Sequence, residues 1–232
     1  MRYPFITFIS ICTLLVVISV FVWIRLSPQT ATVMLASKPR LHIQQIYSSR
    51  DEDRDGKNDT QDLLDGARAE LERQPSYRSA YYDGGYPPSG EGVCTDLVWR
   101  AFRDAGYELK NLVDTDIKKR TDAYTRVKGE PDPNIDFRRV PNLNVFFKTH
   151  ATSLTLELKP GDSANLKEWQ GGDLVLFDGP KSHIGIVSDR RDDDGVPLLI
   201  HNAGNTREDD GLRYWPERIT PIIGHYRWPT AN

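Results

Sequence analysis

The apolar and polar positions of the chain divide it into four stretches of different periodicity. From Tyr3 to Ile24 there is no charge, and the run FITFISICTLLVVISVFVWI has the length, about 20 residues, of a helix that crosses a bilayer. Arg2 and Arg25 flank it, and the following RLSPQTATVMLASKPR lacks the small-residue pattern of a cleavage site. An uncleaved anchor over residues 1–26 is therefore expected in preference to a cleaved signal peptide. The Ser-, Thr- and Pro-rich stretch of residues 27–40 reads as a tether, and the folded domain is expected over 41–232. The charges on either side of the anchor are too evenly matched to orient it.

The second stretch has helical spacing. Leu63, Leu64, Ala67 and Leu71 recur at three to four residues in DTQDLLDGARAELERQ, which stops before Pro75. After the turn-rich YYDGGYPPSGEG, a second helix is expected from about Cys94 to Ala105, with a stripe of Leu97, Val98, Ala101, Phe102 and Ala105 and with Gly106 at its C-terminal cap. The third stretch, Leu109 to about Lys167, is charged and irregular, with one apolar patch, NVFF. It reads as an insertion packed on the core with one short helix. The fourth stretch has strand character: DLVLF, HIGIV, VPLLIH and PIIGHYRW, separated by turns such as DRRDDDG. Helices first and strands afterwards imply an α+β domain, helices packed on an antiparallel sheet.

Composition narrows the function classes. The chain has 232 residues, 38% hydrophobic, with a net charge of -3 from interspersed acids and bases. That is a globular composition, and it offers nucleic acid no basic stripe. Of the two cysteines, Cys12 lies in the apolar run, so Cys94 is alone in the domain and has no internal disulfide partner.

Cys94 is the first chemical candidate. A cysteine three residues before an apolar stripe is commonly a small buried hydrophobe. At the first position of a helix, however, unpaired N–H groups favour the thiolate, and the preceding Gly-Glu-Gly permits close approach of a substrate carbonyl. The histidines bear on the choice, although two satisfied histidines at polar strand ends are the alternative to a paired site. If the loop joining HIGIVS to VPLLIH is centred on Asp192, Ser188 faces Val196 and His183 faces His201, side chains roughly 4.5 to 5.5 Å apart on one face. A thiol with two linked imidazoles suits acyl transfer: one ring acts as base and the other orients it. Zinc ligation is the competitor, but no compact ligand pair such as C-x-x-C is present.

A separate segment, DEDRDGKNDTQD, places Asp51, Asp53, Asp55, Asp59 and Asp62 at positions 1, 3, 5, 9 and 12 around Gly56. This is the spacing that wraps one hard cation, and it is similar to the aspartate-rich calcium loops of EF-hands. Asp62 is shorter than the usual glutamate. The alternative is a solvated acidic turn in which Asp59 or Thr60 caps the helix that follows.

Tyr81, Gly84, Gly85, Pro88, Gly90 and Cys94, followed by GGDLVLF, SHIGIV and LIHN, resemble the NlpC-type cell-wall cysteine peptidases of the papain-like clan. With GVCTDLV, PNIDFRRVPNL, SDRRDDDG and GHYRW included, the chain from about Leu63 to Trp228 is still more similar to the bacterial family called domain of unknown function 1287. The resemblance implies a papain-like fold, Cys94 as nucleophile, His183 as base and acid, and His201 as the orienting residue. It implies Tyr81 beside the thiol and a catalytic sequence without a cofactor, while the calcium read from the aspartate loop is expected to be structural. It also implies peptidoglycan stem peptides as substrate and a single-pass protein of the inner (cytoplasmic) membrane with its domain in the periplasm. An acyltransferase or lipid amidase on the same fold, or a wall-binding module with an inert thiol, are the alternatives. Two departures stand out: Thr95 and Asp96 replace Ser-Gly after the cysteine, and the Cys94 to His183 interval is long. Asp96 is expected to make the substrate groove more acidic. Asn202 is the alternative to His201, and Arg138 and Arg139 are candidates for binding a substrate carboxylate.

Overall fold

The computed structural model describes residues 40–180, 182–218 and 220–230. The expected anchor and all of the tether except Arg40 lie outside the described residues, among which no helix is long and apolar enough to cross a membrane.

Helix α1 (Asp59–Arg73) starts where Asn58 accepts the Gln61 N–H, so Asn58 is the cap instead of Asp59 or Thr60. It ends at Gln74, whose left-handed φ of 45° closes the last turn before Pro75. A short parallel pair, β1 (Ser76–Tyr77) and β2 (Glu91–Gly92), brackets the glycine-rich loop and leads into α2 (Cys94–Asp104). Gly66 and Ala101 mark the closest approach of α1 and α2, because a Cβ on Gly66 would lie 2.8 Å from the Ala101 Cα. Gly106 follows α2 with a φ of +80°, as its place after the apolar stripe implies.

The insertion is more helical than its charge suggests. It contains α3 (Leu109–Lys119), α4 (Val140–His150) and the single turn α5 (Ser163–Leu166), after a short strand β3 (Thr152–Ser153). Leu109, Val113 and Ile117 are buried at four-residue spacing, and Leu143, Phe146 and Phe147 bury α4. In α3 the exposed Lys118 and Lys119 and the buried, ion-paired Asp116 interrupt this periodicity and mask it in the sequence.

The remaining strands are β4 (Leu174–Phe177), β5 (His183–Arg191), β6 (Pro197–Asn202), β7 (Thr206–Asp209) and β8 (Ile222–Arg227), with α6 (Gly211–Arg218) between the last two. They form an antiparallel sheet in the order β3-β8-β4-β5-β6-β7. Leu174, Leu176, Ile184, Ile186 and Ile200 face the helices. Val175, Phe177, Val187 and Leu199 face the other way, onto Trp169 and Leu212. Both faces of the central strands are therefore covered, and LVLF reads as a continuous apolar run.

The β5–β6 register differs from the expected one. Ile186 pairs with Ile200 and Val187 with Leu199, but Arg191 pairs with Pro197. The irregularity gives β5 two extra residues between those pairs. Continuing the inner register puts Gly185, not His183, opposite His201. A shift of two residues preserves the face, so both rings still point to the same side and meet diagonally.

Candidate active site

Cys94 occupies the first turn of α2, 6% exposed, in the helix-side core. The backbone N–H groups of Ile184, Thr95 and Cys94 itself lie near enough to the sulfur to favour its thiolate. The Ile184 contact puts the sulfur at the start of β5, against the residue that follows His183. Burial nevertheless pushes the thiol up to about 11, and the Asp96 carboxylate adds to the rise against the pull of the three N–H groups. The expected lowering by the helix N-terminus is thus reversed, because desolvation of a nearly sealed sulfur outweighs the partial charges there.

His183 is the first residue of β5. Its Nε2 lies 3.1 Å from His201 Nδ1, and His201 Nε2 lies 3.1 Å from Asp209 Oδ1. Burial pulls the Asp209 carboxyl upward, but the hydrogen bond and charge of His201, the Gly211 N–H and Arg207 outweigh it and hold the carboxyl below its usual range. An ionised carboxylate only accepts, so His201 carries its proton on Nε2 and presents a bare Nδ1. His183 then donates from Nε2, which leaves its Nδ1 unprotonated and free to accept. Trp215 packs edge-on against both rings, with centroids 4.9 and 4.6 Å away. Among the described residues no hydrogen bond joins the His183 ring to the sulfur, so the resting site holds a neutral thiol and a neutral imidazole at the same end of β5.

Burial, with His201 second, pushes the His183 imidazole down to about 3 from 6.5. Between these values the unfolded chain binds a proton that the folded one refuses. The ring's contribution to stability is therefore full above about 6.5 and lost as the pH falls toward 3. Denaturant midpoints are expected to drop more in wild type than in His183→Gln when the pH is lowered from about 7 to about 5. An equal drop in both proteins would assign the effect to other groups.

The substrate-side expectations need correction. Asp96 is fully buried: its oxygens accept from the Val93 N–H (2.8 Å), from Trp99 Nε1 (2.8 Å) and from Arg138 Nε and one terminal nitrogen (2.7 and 2.8 Å). It closes the start of α2 and neutralises Arg138, and it has no free edge for a substrate. Tyr81 is also elsewhere: its hydroxyl bonds to Asp132 (3.2 Å) and Asn134 (2.9 Å). The tyrosine beside the sulfur is Tyr77, which pairs with Gly92 across β1 and β2. Cys94 opens onto a groove of about 410 Å³ lined by Tyr77, Ser79, Arg126, Arg139, Pro141 and Ser182, among others. The groove is thus rimmed by arginine instead of acid. Of the expected arginine pair, Arg138 is committed to Asp96, while Arg139 is partly exposed beside Asp136 at 2.9 Å.

The alternative residues resolve. Asn202 lies one residue along from His201 and accepts from the Gly204 N–H, so His201 is the one of the two that bonds to His183. His225 stacks on Trp169 at 3.8 Å and bonds to Thr155 and Asp173, within the packing of β8. Asp209 and Trp215 escaped sequence reading: β7 is a polar TRED segment, and only its pairing of His201 with Arg207 brings Asp209 within reach.

In the acidic loop, Asp51, Asp53 and Asp55 place carboxylate oxygens within 4.8 Å of one another. Asp59 does not join them. It is buried and accepts from the Glu52 N–H (2.8 Å) and the Tyr107 hydroxyl (2.5 Å), so the expected fifth carboxylate is a structural clasp. Asp62 is 5% exposed, and its Oδ2 has no partner among the described residues.

The family model described as Domain of unknown function (DUF1287) matches residues 64–228, which include Cys94, His183, His201 and Asp209 and begin after the acidic loop. The chain is also similar to the Uncharacterized protein YijF of Escherichia coli (strain K12), 38% identical over 175 residues, or 72% of this chain and 80% of that one. No solved structure matches.

Proposed function

The chain belongs to the DUF1287 family, and on that footing we propose that it is a cysteine-dependent amide hydrolase related to the NlpC-type peptidases. The observation that carries this reading is the chain of hydrogen bonds Asp209–His201–His183, which ends one residue from Ile184, whose backbone N–H acts on the Cys94 sulfur. An imidazole nitrogen kept in one tautomer, at the same end of β5 as a thiol on a helix N-terminus, supplies the parts of nucleophilic acyl transfer.

In this scheme the thiol is activated only as substrate enters. The sulfur attacks the carbonyl carbon while its proton passes to Nδ1 of His183, and the imidazolium that forms is stabilised through His201 by Asp209. The C–N bond then breaks, the amine leaves with that proton, and water hydrolyses the thioester to release the acid and restore the thiol. In this scheme the Cys94 N–H donates to the carbonyl oxygen as that oxygen gains charge. Arg126 and Arg139 suit an acyl donor bearing a carboxylate, a chemistry that peptidoglycan stem peptides carry. That substrate, the membrane tether and the extracytoplasmic location rest on the motif resemblance and on the apolar run of residues 1–26.

The test is digestion of purified muropeptides by the full chain, read by mass spectrometry. Stems shortened at an amide bond are expected. Intact stems with turnover of a lipid amide or acyl donor would replace this reading with the acyltransferase or lipid amidase one. The activation scheme has its own check. Iodoacetamide labelling of Cys94 in the substrate-free chain is expected to be slow at neutral pH and to climb through pH 9 toward about 11. A plateau below about pH 8 would mean that the thiolate is already formed at rest, and would discard activation by substrate.

A further inference from the structure

We propose that the loop from Asp51 to Asp62 binds one calcium ion. Two observations meet there. Asp51, Asp53 and Asp55 converge their carboxylates, with Gly56 at a φ of +97° turning the chain after them. Three like charges held this close repel one another unless a cation lies between them.

The second observation is Asp62, at the twelfth position of the loop and on the first turn of α1. Its side chain is buried, its Oδ2 lacks a partner among the described residues, and the foremost charges acting on it are those of Asp55 and Asp53. A buried carboxylate oxygen without a hydrogen bond is costly, and a cation among the four acids removes that cost. The lysine within the loop does not serve, because Lys57 turns its ammonium to Asp65 at 3.0 Å.

Four carboxylates, with the Lys57 carbonyl at the seventh position and water, supply the six to eight oxygens that calcium takes in a flexible shell. Magnesium demands a stricter octahedron at shorter distances. Asp59, at the ninth position, is used differently from a ligand loop and clasps Tyr107. Asp53 packs on Gly106, where an added Cβ would meet the Asp53 Cβ at 2.9 Å. The loop therefore grips the C-terminal end of α2, the helix that carries Cys94 at its other end. Calcium here braces the fold, and the inference is independent of the hydrolase reading.

Calorimetric titration of the chelator-stripped full chain in detergent with calcium chloride tests it. One ion per chain is expected, with a rise in melting temperature of roughly 5 °C at saturation. Asp53→Asn and Asp62→Asn are each expected to weaken binding about tenfold or more, whereas Glu52→Gln, at the second position and paired with Arg50, leaves it within about twofold. The proposal is overturned by the absence of both binding heat and melting shift at about 1 mM calcium, the weak end for such loops. Equal loss in Glu52→Gln and Asp62→Asn overturns it too, since that pattern belongs to a diffuse counterion cloud.

Discussion

Cys94→Ala is expected to bring amide hydrolysis down to the uncatalysed background, and His183→Ala to lower kcat by about 10³-fold with KM little changed. The two variants remove different things. Without the sulfur there is no acyl intermediate. Without the ring the thiol keeps its proton, since burial holds its ionisation far above neutrality. Asp209→Asn sharpens the test. An asparagine amide can donate toward His201 Nε2, which permits the tautomer that leaves His183 Nδ1 protonated, so kcat is expected to fall about 10²-fold or more while the fold is kept. Unchanged turnover in Cys94→Ala would sink the hydrolase reading. Full activity in Asp209→Asn alone would remove the relay from the mechanism and leave the nucleophile.

Asp96→Ala is expected to destabilise the domain by about 3–5 kcal/mol, because it leaves the Arg138 guanidinium, 2% exposed, without its counter-charge. For a domain of this size that corresponds to a fall in melting temperature of roughly 6–20 °C. The Val93 N–H and Trp99 Nε1 lose their acceptors at the same time. Arg138→Met is expected to cost much less in the Asp96→Ala background than in wild type, since the second change then removes a charge that is already unpaired. A loss below about 1 kcal/mol for Asp96→Ala would show that water enters and solvates Arg138. The pair explains why an aspartate stands two residues after Cys94. It ties the first turn of α2 to Arg138, which also holds the Ala80 carbonyl, and so positions the floor of the groove.

Local periodicity was legible from the sequence. The apolar stripes place α1 and α2, the runs LVLF, HIGIV, LLIH and IIGHYR place four central strands, and Cys94 stands at the start of its helix as its position after a glycine turn implies. α3 and α4 were not legible as two helices, because charged residues, some of them buried like Asp116, interrupt the apolar positions of α3, and NVFF is the one apolar signal in α4. β7 was not legible either, since a polar edge strand carries no apolar signal. The pairing of His183 with His201 survived an error in register only because the error was even: two residues of slippage keep the face, and one would have separated the rings.

By itself, then, the sequence determined which elements carry Cys94, His183 and His201, because helical and strand periods are set by near neighbours along the chain. Only the tertiary structure decided what surrounds them. It exchanged Tyr81 for Tyr77 at the sulfur, turned Asp96 from a groove acid into a partner of Arg138, withdrew Asp59 from the acidic cluster and brought Asp209 to His201. It also raised the thiol where a helix N-terminus alone would have lowered it. The physical reason is common to all of these: burial and through-space partners depend on segments distant in sequence, and in a desolvated site those terms exceed the local ones.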